Sequence, residues 1–291
     1  MPELPEVQTM VEDLEKKVLN RTFLNVWTDT PKIVKKPKSF GAFQKQIKGK
    51  TIKKIWRRAK NILIELSGGH VLLVHNKMTG HLLYGSWERK GNVWWPKDAG
   101  PMQEKVNGYI RIVFFLDNNK MLALSDLRKF AKVELWEKGK LFNSKEFQGI
   151  GPEPLEKGFT FEVFEKILEN KKGKVKQVLM KPEIIAGIGN IYSDEILWRA
   201  KVSPQKDISK LNKTELRLIY QNIRRVLEKA IALRGESFSD FRDPQGEKGF
   251  FDTERMVYQR EGEKCSRCGT KIKRIKMGGR SAHFCPHCQK L

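Results

Sequence analysis

The sequence lacks an apolar run long enough to cross a bilayer, and its start has none of the features of a secretory signal. Cysteine is absent before position 265, and all 4 cysteines of the chain lie from there onward. Their confinement to one end excludes a disulfide framework that staples the whole chain and favours one shared site. We therefore expect a cytoplasmic protein without a membrane partner.

Acidic residues are also scarce. The chain has 34 Asp and Glu residues against 57 Lys and Arg residues, which gives a formal net charge of +23. This basic excess favours a polyanionic partner, although a generally basic protein without such a partner has the same composition. Hydrophobic residues make up 39% of the 291 positions, so the chain is not disordered, and we expect two or three domains.

The first residues carry a pair of reactive groups. If an aminopeptidase removes Met1, the chain begins with the secondary amine of Pro2, followed by the carboxylate of Glu3. An α-amino group titrates near ~7.7 to 8.0, so part of it is unprotonated and nucleophilic at neutral pH. Its attack on a sugar C1′ carbon forms an iminium ion and acidifies the C2′ proton, with Glu3 as general acid and base. Alternatively, Pro2 and Pro5 only stiffen the chain before a helix.

Hydrophobic periodicity predicts strands in the first half of the chain. An amphipathic helix is predicted from Glu6 to Leu19, and the predicted strands are residues 51–56, 61–66, 70–75, 109–116, 121–125 and 132–136. Because tight turns join several of these strands, we expect a mainly antiparallel β-sandwich or barrel with a flanking helix. Residues 87–106 interrupt the pattern and are predicted to form an elaborated surface loop.

The second half of the chain is predicted to be helical, so the fold class is α+β. A stretch rich in glycine and proline at residues 149–156 predicts a linker, and the predicted helices are residues 161–170, 175–181, 190–200 and 213–233. A polar segment at about 235–250 has too few apolar residues to pack and is predicted to be a mobile loop. The predicted domains are residues 1–148, the linker, a helical domain at 157–254 that includes this loop, and a cysteine-containing unit at 255–291.

The cysteines form two CxxC pairs with the spacing of a zinc site. The predicted ligands are Cys265, Cys268, Cys285 and Cys288. Four thiolates close a tetrahedral shell, so we expect one structural Zn²⁺ on which folding of the unit depends. Replacement of a cysteine by His287 and a redox role are the alternatives.

Two further motifs indicate phosphate binding. Residues 271–281 predict a basic β-hairpin that places Arg280 near its tip, either across a phosphate backbone or merely in solvent. The turn at residues 187–190 predicts a helix start with Asn190 as N-cap, where a phosphate can bind exposed amides. Such a turn is usually structural when alone. With Lys176 on the preceding helix, however, two helices joined by two turns can grip one phosphate.

Three strand ends carry basic and bulky groups. Residues 57–60 open one strand, residues 75–80 end another, and residues 126–130 end a third. Taken separately, Met78 and Phe130 are typical core residues and Arg128 is a surface charge. Taken together, they are the kind of wedge that fills the space left when a base is extracted from a DNA stack.

Together these features resemble the formamidopyrimidine-DNA glycosylases. The motifs are Pro-Glu-Leu-Pro-Glu at 2–6, Arg-Arg-Ala-Lys at 57–60, His-x-x-Met-Thr-Gly at 75–80, Asp-x-Arg-Lys-Phe at 126–130, Gly-Ile-Gly-Asn-Ile-Tyr at 187–192 and the four-cysteine finger. The resemblance covers essentially the whole chain. It implies a base-excision repair enzyme with a helix-two-turns-helix domain. Such an enzyme excises 8-oxoguanine and ring-opened purines from double-stranded DNA and cuts the strand by β,δ-elimination. We expect a monomer acting at the nucleoid.

The resemblance also implies roles for individual residues. Pro2 is the Schiff-base nucleophile, Glu3 is the acid and base, and Glu6 is a second carboxylate near the site. Lys60 is a proton donor or phosphate ligand near the scissile sugar. The implied DNA-binding residues are His75 on the backbone, the void-filling Met78, Arg128 and Phe130, the phosphate ligands Lys176, Asn190 and Arg280, and Tyr258 near the finger. Arg128 pairs with the orphaned cytosine, and the 235–250 segment closes over the everted base.

The sequence departs from the family pattern at two positions and leaves two alternative functions open. Lys77 and Ala131 stand where the family often has glycine, which can alter the wedge geometry. Leu4 favours the formamidopyrimidine branch over the endonuclease VIII branch, whose members prefer oxidised pyrimidines. The other alternative is a zinc-finger DNA-binding protein without catalysis, which would not require Pro2, Glu3 and Lys60.

Overall fold

The computed structural model describes residues 1–237 and 240–291, and it divides into two compact units. The first unit consists of Met1–Gln148 with Leu233–Asp252, and the second of Gly149–Ala232 with Thr253–Leu291. Residues 233–252 therefore group with the first unit, whereas the sequence placed the 235–250 loop in the helical domain. The physical reason is that Phe241 is buried in the core of the first unit. Residues 238 and 239 of the predicted loop lie outside the described residues.

The first unit combines helices with two large β-sheets. Its helices are α1 (Leu4–Val18), α2 (Phe40–Ile47), α3 (Lys138–Phe142) and α4 (Lys145–Gln148). Its strands are β1 (Phe23–Thr28), β2 (Val34–Lys36), β3 (Ile52–Arg58), β4 (Asn61–Leu66), β5 (His70–His75), β6 (His81–Gly85), β7 (Trp87–Lys90), β8 (Val93–Pro96), β9 (Ile110–Leu116), β10 (Met121–Ser125) and β11 (Lys132–Glu137). One sheet has the order β1-β9-β10-β6 and the other β2-β11-β5-β4-β3. Neighbouring strands are antiparallel except β2 and β11.

The main hydrophobic core is built from one face of each sheet and one stripe of α1. Alternate residues of β9 and β10, such as Phe114 and Leu124, join Ile64 of β4 and Leu72 of β5 in this core. The stripe of α1 consists of Val7, Met10, Val11, Leu14 and Val18. This packing confirms the predicted sandwich with a flanking helix, and it places the start of α1 against the sheets.

The 87–106 segment is more ordered than predicted. It forms the β7–β8 hairpin, followed by 3₁₀ turns at Pro101–Gln103 and Lys105–Gly108. Trp87 and Trp94 pack on the outer face of the β1-β9-β10-β6 sheet in a second hydrophobic cluster. The segment predicted as a surface loop therefore covers a sheet face.

The second unit is helical and ends in a two-stranded hairpin. Its elements are α5 (Phe161–Leu168), α6 (Val175–Leu179), α7 (Asn190–Ala200), α8 (Lys213–Ala232), β12 (Lys273–Met277) and β13 (Arg280–Phe284). Turns join α6 to α7, and α7 packs against α8 and β13. Among the described residues, no helix combines the length and the apolar character needed to cross a membrane.

Candidate functional site

The amino terminus is buried and held by a carboxylate one helical turn away. Pro2 and Glu3 are buried, and Glu3 is the N-cap of α1. The backbone N–H of Glu3 donates to the Glu6 carboxylate at 2.6 Å, and the other Glu6 oxygen accepts the backbone N–H of Glu236 at 2.7 Å. Glu6 therefore fixes the predicted nucleophile and the start of the 235–250 segment to one another. The sequence indicated only that Glu6 lies close to the site.

The 235–250 segment is tied down at several points, which corrects the prediction that it is too polar to pack. Arg234 donates to the carboxylates of Asp13 on α1 and Asp243 within the segment. Arg242 and Asp243 are buried, as is Phe241. The carbonyl of Pro244 accepts the N–H of Tyr84 at 2.8 Å. The described part of the segment has no regular secondary structure. Beyond Phe241, buried polar contacts hold it in place where apolar packing is sparse.

Lys60 and His75 lie at neighbouring strand ends. Lys60 follows β3 in the turn to β4, and His75 at the end of β5 pairs with Asn61 and Lys132. Burial, together with the charges of Lys77, Lys60 and Lys132, lowers the pKa of His75 to about 3. Because Nδ1 of His75 accepts the Lys77 N–H at 3.0 Å, the neutral ring carries its proton on Nε2. His75 is therefore a neutral hydrogen-bond donor within a cationic cluster.

The predicted wedge residues are exposed at the ends of two turns. Met78 is 39% exposed and Phe130 is 52% exposed, although side chains of this kind are usually buried. The Arg128 guanidinium lies 4.7 Å from the centre of the Phe130 ring, which orients both groups. Their exposure favours the wedge interpretation over the core interpretation.

A buried carboxylate joins these two turns. Asp126 is fully buried and accepts the Thr79 hydroxyl, the Arg128 N–H at 3.2 Å and the Ala131 N–H at 2.8 Å. The contact with Thr79 links the turn that carries Met78 to the turn that carries Arg128. Asp126 stands in the recognised motif, but its role as the link was missed because the contact crosses 47 positions.

The two departures from the family pattern have different consequences. Lys77 has a φ of 56°, in the left-handed region that favours glycine, so its side chain is accommodated at a cost of roughly 1 to 2 kcal/mol. The φ angle of Ala131 is not positive. The residue is buried, and its N–H donates to Asp126. The backbone therefore has no requirement for glycine at position 131.

In the second unit, the structure corrects the predicted role of Asn190 as N-cap and shows how Lys176 is held. Helix α7 begins at Asn190 with Gly189 as its N-cap, so Asn190 is the first helical residue. The Lys176 ammonium is buried and donates to Asp194 at 2.5 Å and to the Ser281 carbonyl at 2.8 Å. Lys176 therefore joins α6 to α7 and the hairpin, and its contact with a phosphate stays a prediction.

Asn190, Arg280 and Tyr258 remain candidates for contact with a ligand. The Asn190 side-chain oxygen is buried and has no hydrogen-bond partner among the residues that the structure describes. Arg280 is exposed beside the Gly278–Gly279 turn at the hairpin tip. The Tyr258 ring packs edge-on against the buried His283 at 5.1 Å, so it is oriented by the base of the hairpin.

Two acidic residues that the sequence did not single out fix the hairpin and residues 256–258 to α7. Asp194 accepts the backbone N–H of His283 at 2.9 Å in addition to the Lys176 ammonium. Glu195 accepts the N–H groups of Met256, Val257 and Tyr258 at 2.9, 3.0 and 2.9 Å. Burial raises the pKa of the Glu195 carboxyl, and the three donors oppose that shift. The signal available in the sequence was that Asp194 and Glu195 are adjacent within the otherwise buried helix α7.

The cysteines form the predicted zinc centre. Their four Sγ atoms lie within 4.8 Å of one another, and Cys268 Sγ is 3.5 Å from that of Cys285 and 3.4 Å from that of Cys288. A tetrahedral zinc with Zn–S bonds of about 2.3 Å places its sulfurs about 3.8 Å apart, so the four thiolates fit one ion. His287 is not part of this cluster in the described chain. Since sulfur fills all four positions, the zinc is structural.

Comparison with known proteins identifies the family. The chain matches the formamidopyrimidine-DNA glycosylase N-terminal domain at residues 1–133, the H2TH domain of those enzymes at 150–242, and the zinc finger found in FPG and IleRS at 262–291. The sandwich, the helix-two-turns-helix region and the finger thus define a three-part zinc-finger protein. The chain belongs to the formamidopyrimidine-DNA glycosylase family.

Individual relatives are similar over their whole length. A formamidopyrimidine-DNA glycosylase from Pelotomaculum thermopropionicum is 37% identical over 291 residues, which is 100% of both chains. A structure of MutM in complex with DNA that contains carbocyclic 8-oxo-G matches 100% of both chains, with 33% identity and a TM-score of 0.86. The same values hold for a Lactococcus lactis FPG (MutM) in complex with DNA that contains an oxidised pyrimidine.

Proposed function

We propose that this chain is a bifunctional DNA glycosylase. It excises oxidised purines, including 8-oxoguanine and formamidopyrimidines, from double-stranded DNA and then cuts the strand at the abasic site. The observation that carries the proposal is the buried Pro2-Glu3 start, which Glu6 holds by the N–H of Glu3. A purely structural start of a helix does not require a secondary amine at position 2. The relatives' names and their complexes with damaged DNA support the same reaction class.

The chemistry follows from the amine and the carboxylate. After Met1 is removed, the Pro2 nitrogen attacks C1′ of the damaged nucleoside, and the base leaves with a proton. The C1′–O4′ bond of the sugar then breaks as O4′ takes up a proton, which leaves a ring-opened iminium ion. This ion withdraws electrons from C2′, so loss of a C2′ proton expels the 3′ phosphate. A second elimination expels the 5′ phosphate, and hydrolysis of the imine releases the enzyme. Glu3 transfers the protons, and Lys60 donates a proton or binds a phosphate beside the sugar.

Binding rests on phosphate neutralisation and on filling the vacated space. The net charge of +23 supplies the long-range attraction to DNA. Met78 and Phe130 enter the stack, and Arg128 pairs with the orphaned cytosine. Asn190 and Arg280 bind phosphates, while neutral His75 donates its Nε2–H to the backbone. We place this activity in the cytoplasm at the nucleoid, carried out by a monomer.

The choice of lesion depends on the pocket that receives the base. Leu4 and the complete wedge favour the purine branch. The Lactococcus lactis relative was solved with oxidised-pyrimidine DNA, so binding of such a lesion does not by itself identify the branch. The excision rate, not the affinity, must decide between purine and pyrimidine lesions.

The test is borohydride trapping of the iminium on duplexes that carry either 8-oxoguanine opposite cytosine or an oxidised pyrimidine. Intact mass first establishes that Met1 is absent from the protein used. We expect the wild type to trap the purine duplex faster, and Pro2→Gly to bind it while losing most trapping and cleavage. Pro5→Gly, a proline-to-glycine change that leaves the terminal amine in place, is the matched control.

Each outcome separates the candidate functions. Faster trapping of the pyrimidine duplex assigns the protein to the endonuclease VIII-like branch with the same mechanism. Wild-type cleavage by Pro2→Gly removes Pro2 from the mechanism. Binding without trapping of either duplex, by protein that lacks Met1, leaves a zinc-finger DNA-binding protein without catalysis.

A further inference from the structure

The 3₁₀ turn at Lys105–Gly108 follows from the 87–106 segment, and it contacts the 235–250 segment through a buried amide. Asn107 is 1% exposed, and its Nδ2 donates to the carbonyls of Pro101 at 2.8 Å and Gly246 at 3.2 Å. A Cβ atom on Gly246 would lie 2.8 Å from the same nitrogen, so the Asn107 side chain approaches this backbone as closely as glycine permits. Position 246 is thereby fixed by a residue far from it in sequence.

A second contact fixes the same stretch through charge. Oε2 of Glu104 accepts the Nε–H of Arg242 at 2.8 Å and lies 2.8 Å from Nη2, so one carboxylate oxygen pairs with two nitrogens of the guanidinium. The Arg242 side chain is 6% exposed and that of Glu104 is 39% exposed. A buried guanidinium has lost its hydration and needs an opposite charge to compensate for that loss. Loss of the Glu104 carboxylate therefore leaves the buried charge of Arg242 without its carboxylate partner.

The same turn also contacts the strand ends that carry the wedge. Asn107 Oδ1 accepts the Nε2–H of buried His81, with 2.9 Å between the two heavy atoms. His81 is the first residue of β6 and directly follows the turn that carries Met78. Burial lowers the pKa of His81 to about 4, so the imidazole ring is neutral at pH 7. The proton that it donates to Asn107 is therefore the single N–H that a neutral imidazole carries. The Val106 carbonyl accepts the Ser125 hydroxyl at 2.9 Å, and the Tyr109 carbonyl accepts the N–H of Asp126.

Two of the anchors of the 235–250 segment, in addition to the Asp243 and Pro244 contacts described above, lie at opposite parts of it. Its start is bound to Glu6, which also holds Glu3, and its later part is bound to Glu104 and Asn107. The first anchor places the segment beside the catalytic amine. A damaged base must therefore enter next to a segment whose later part is held by the 104–107 turn.

We propose that Glu104 and Asn107 are positioning residues for base excision, which hold residues 242–246 relative to both the catalytic amine and the wedge turns. The inference rests on the proposed glycosylase function and assigns a role to the 87–106 segment and the 3₁₀ turn at its end. The two residues act through the backbone that they hold and do not contact the reacting sugar.

This arrangement predicts a split between the two activities. Base excision requires the segment to orient the base during its departure, so a displacement of residues 242–246 slows it. Strand cleavage at an abasic site that is already formed involves no base. It depends on Pro2, Glu3 and Lys60, and none of these contacts Glu104 or Asn107 in the hydrogen bonds and ion pairs described above.

The experiment compares Glu104→Ala and Glu104→Gln with the wild type on two duplexes under single-turnover conditions. One duplex carries 8-oxoguanine opposite cytosine and the other a preformed abasic site. We expect Glu104→Ala to lower the excision rate about tenfold and to leave cleavage of the abasic duplex within about twofold. Glu104→Gln keeps an acceptor for Arg242, so its excision rate should lie between the two. Glu88→Ala is the matched control, since Glu88 is exposed and forms an ion pair with Lys90 in the β7–β8 hairpin of the same segment.

The outcomes distinguish this inference from the proposed function. Equal losses of excision and abasic-site cleavage in both Glu104 variants would show a merely structural role, and unchanged excision would show no role; either result overturns the inference. An equal excision defect in Glu88→Ala overturns it as well. A wild type that acts on neither duplex overturns the proposed function itself, and this inference with it.

Discussion

Substitution of Gly235 tests how the catalytic amine is held. Gly235 has a φ of +83°, and an added Cβ would lie 2.7 Å from Oε1 and 2.8 Å from Cγ of Glu6. Alanine in this left-handed conformation costs about 1 to 2 kcal/mol, before any clash is considered. Displacement of Glu6 weakens its hydrogen bonds to the N–H groups of Glu3 and Glu236, and a bond to a charged group contributes about 1.5 to 3 kcal/mol. We therefore expect Gly235→Ala to lower the free energy of unfolding by about 3 to 5 kcal/mol.

Gly49 provides the matched control for the backbone strain alone. Its φ is +79°, and an added Cβ would have no atom within 4 Å. Gly49→Ala should lose only about 1 to 2 kcal/mol in urea titrations. Its rate of borohydride trapping on an abasic duplex should equal that of the wild type, whereas Gly235→Ala should trap at least about tenfold more slowly because the amine is displaced. The reasoning is refuted if the two variants lose equal stability and both trap at the wild-type rate.

Two further predictions concern acid stability and the zinc finger. The folded pKa of His81 is depressed to about 4 by burial, so the unfolded chain binds a proton first and stability is lost as pH falls from about 6.5 towards 4. Between pH 7 and pH 5, His81 should lower the free energy of unfolding by about 2 kcal/mol. Urea titrations at the two pH values should therefore show a smaller decrease for His81→Gln than for the wild type. An equal decrease contradicts the depressed pKa of His81. Cys268→Ser removes one of four zinc ligands, so the zinc content by mass spectrometry should fall and the affinity for duplex DNA should weaken by about tenfold or more. Ser266→Ala in the same loop should change neither quantity, and an unchanged affinity of zinc-free Cys268→Ser would remove the finger from DNA binding.

Elements bounded by strong local signals were predictable from the sequence. The ranges 61–66, 70–75, 121–125 and 190–200 were predicted at the bounds that the structure shows. Glycine or asparagine turns delimit these strands, and their apolar residues recur with a clear period. Strands β1, β2 and β6 were missed. In β1 only Phe23 and Val26 are buried, and β2 has three residues, two of them lysines, so neither has a clear alternation.

The chemical groups of the site were predictable, but the contacts that hold them were not. Short motifs contain Pro2, Glu3, Lys60 and the cysteines. In contrast, Glu6 meets Glu236 across 230 positions, and Asn107 meets Gly246 across 139. Such pairs leave no periodic signal in a single sequence, because each partner alone resembles an ordinary surface residue. Lys176 shows the same limit, since the motif around it did not indicate that its ammonium is buried beside Asp194.

Buried carboxylates provide the frame on which the cationic surface depends. Three of them accept backbone N–H groups. Glu6 does so at the amino terminus, Asp126 in the wedge turns and Glu195 at the base of the finger. A chain with a net charge of +23 repels itself, so closely spaced lysines and arginines need fixed anchors if they are to face DNA in one geometry. A carboxylate that binds backbone N–H groups supplies such an anchor without neutralising a surface cation. The three acidic residues at these junctions therefore hold the segments that carry the Glu3 start, the wedge residue Arg128 and Tyr258.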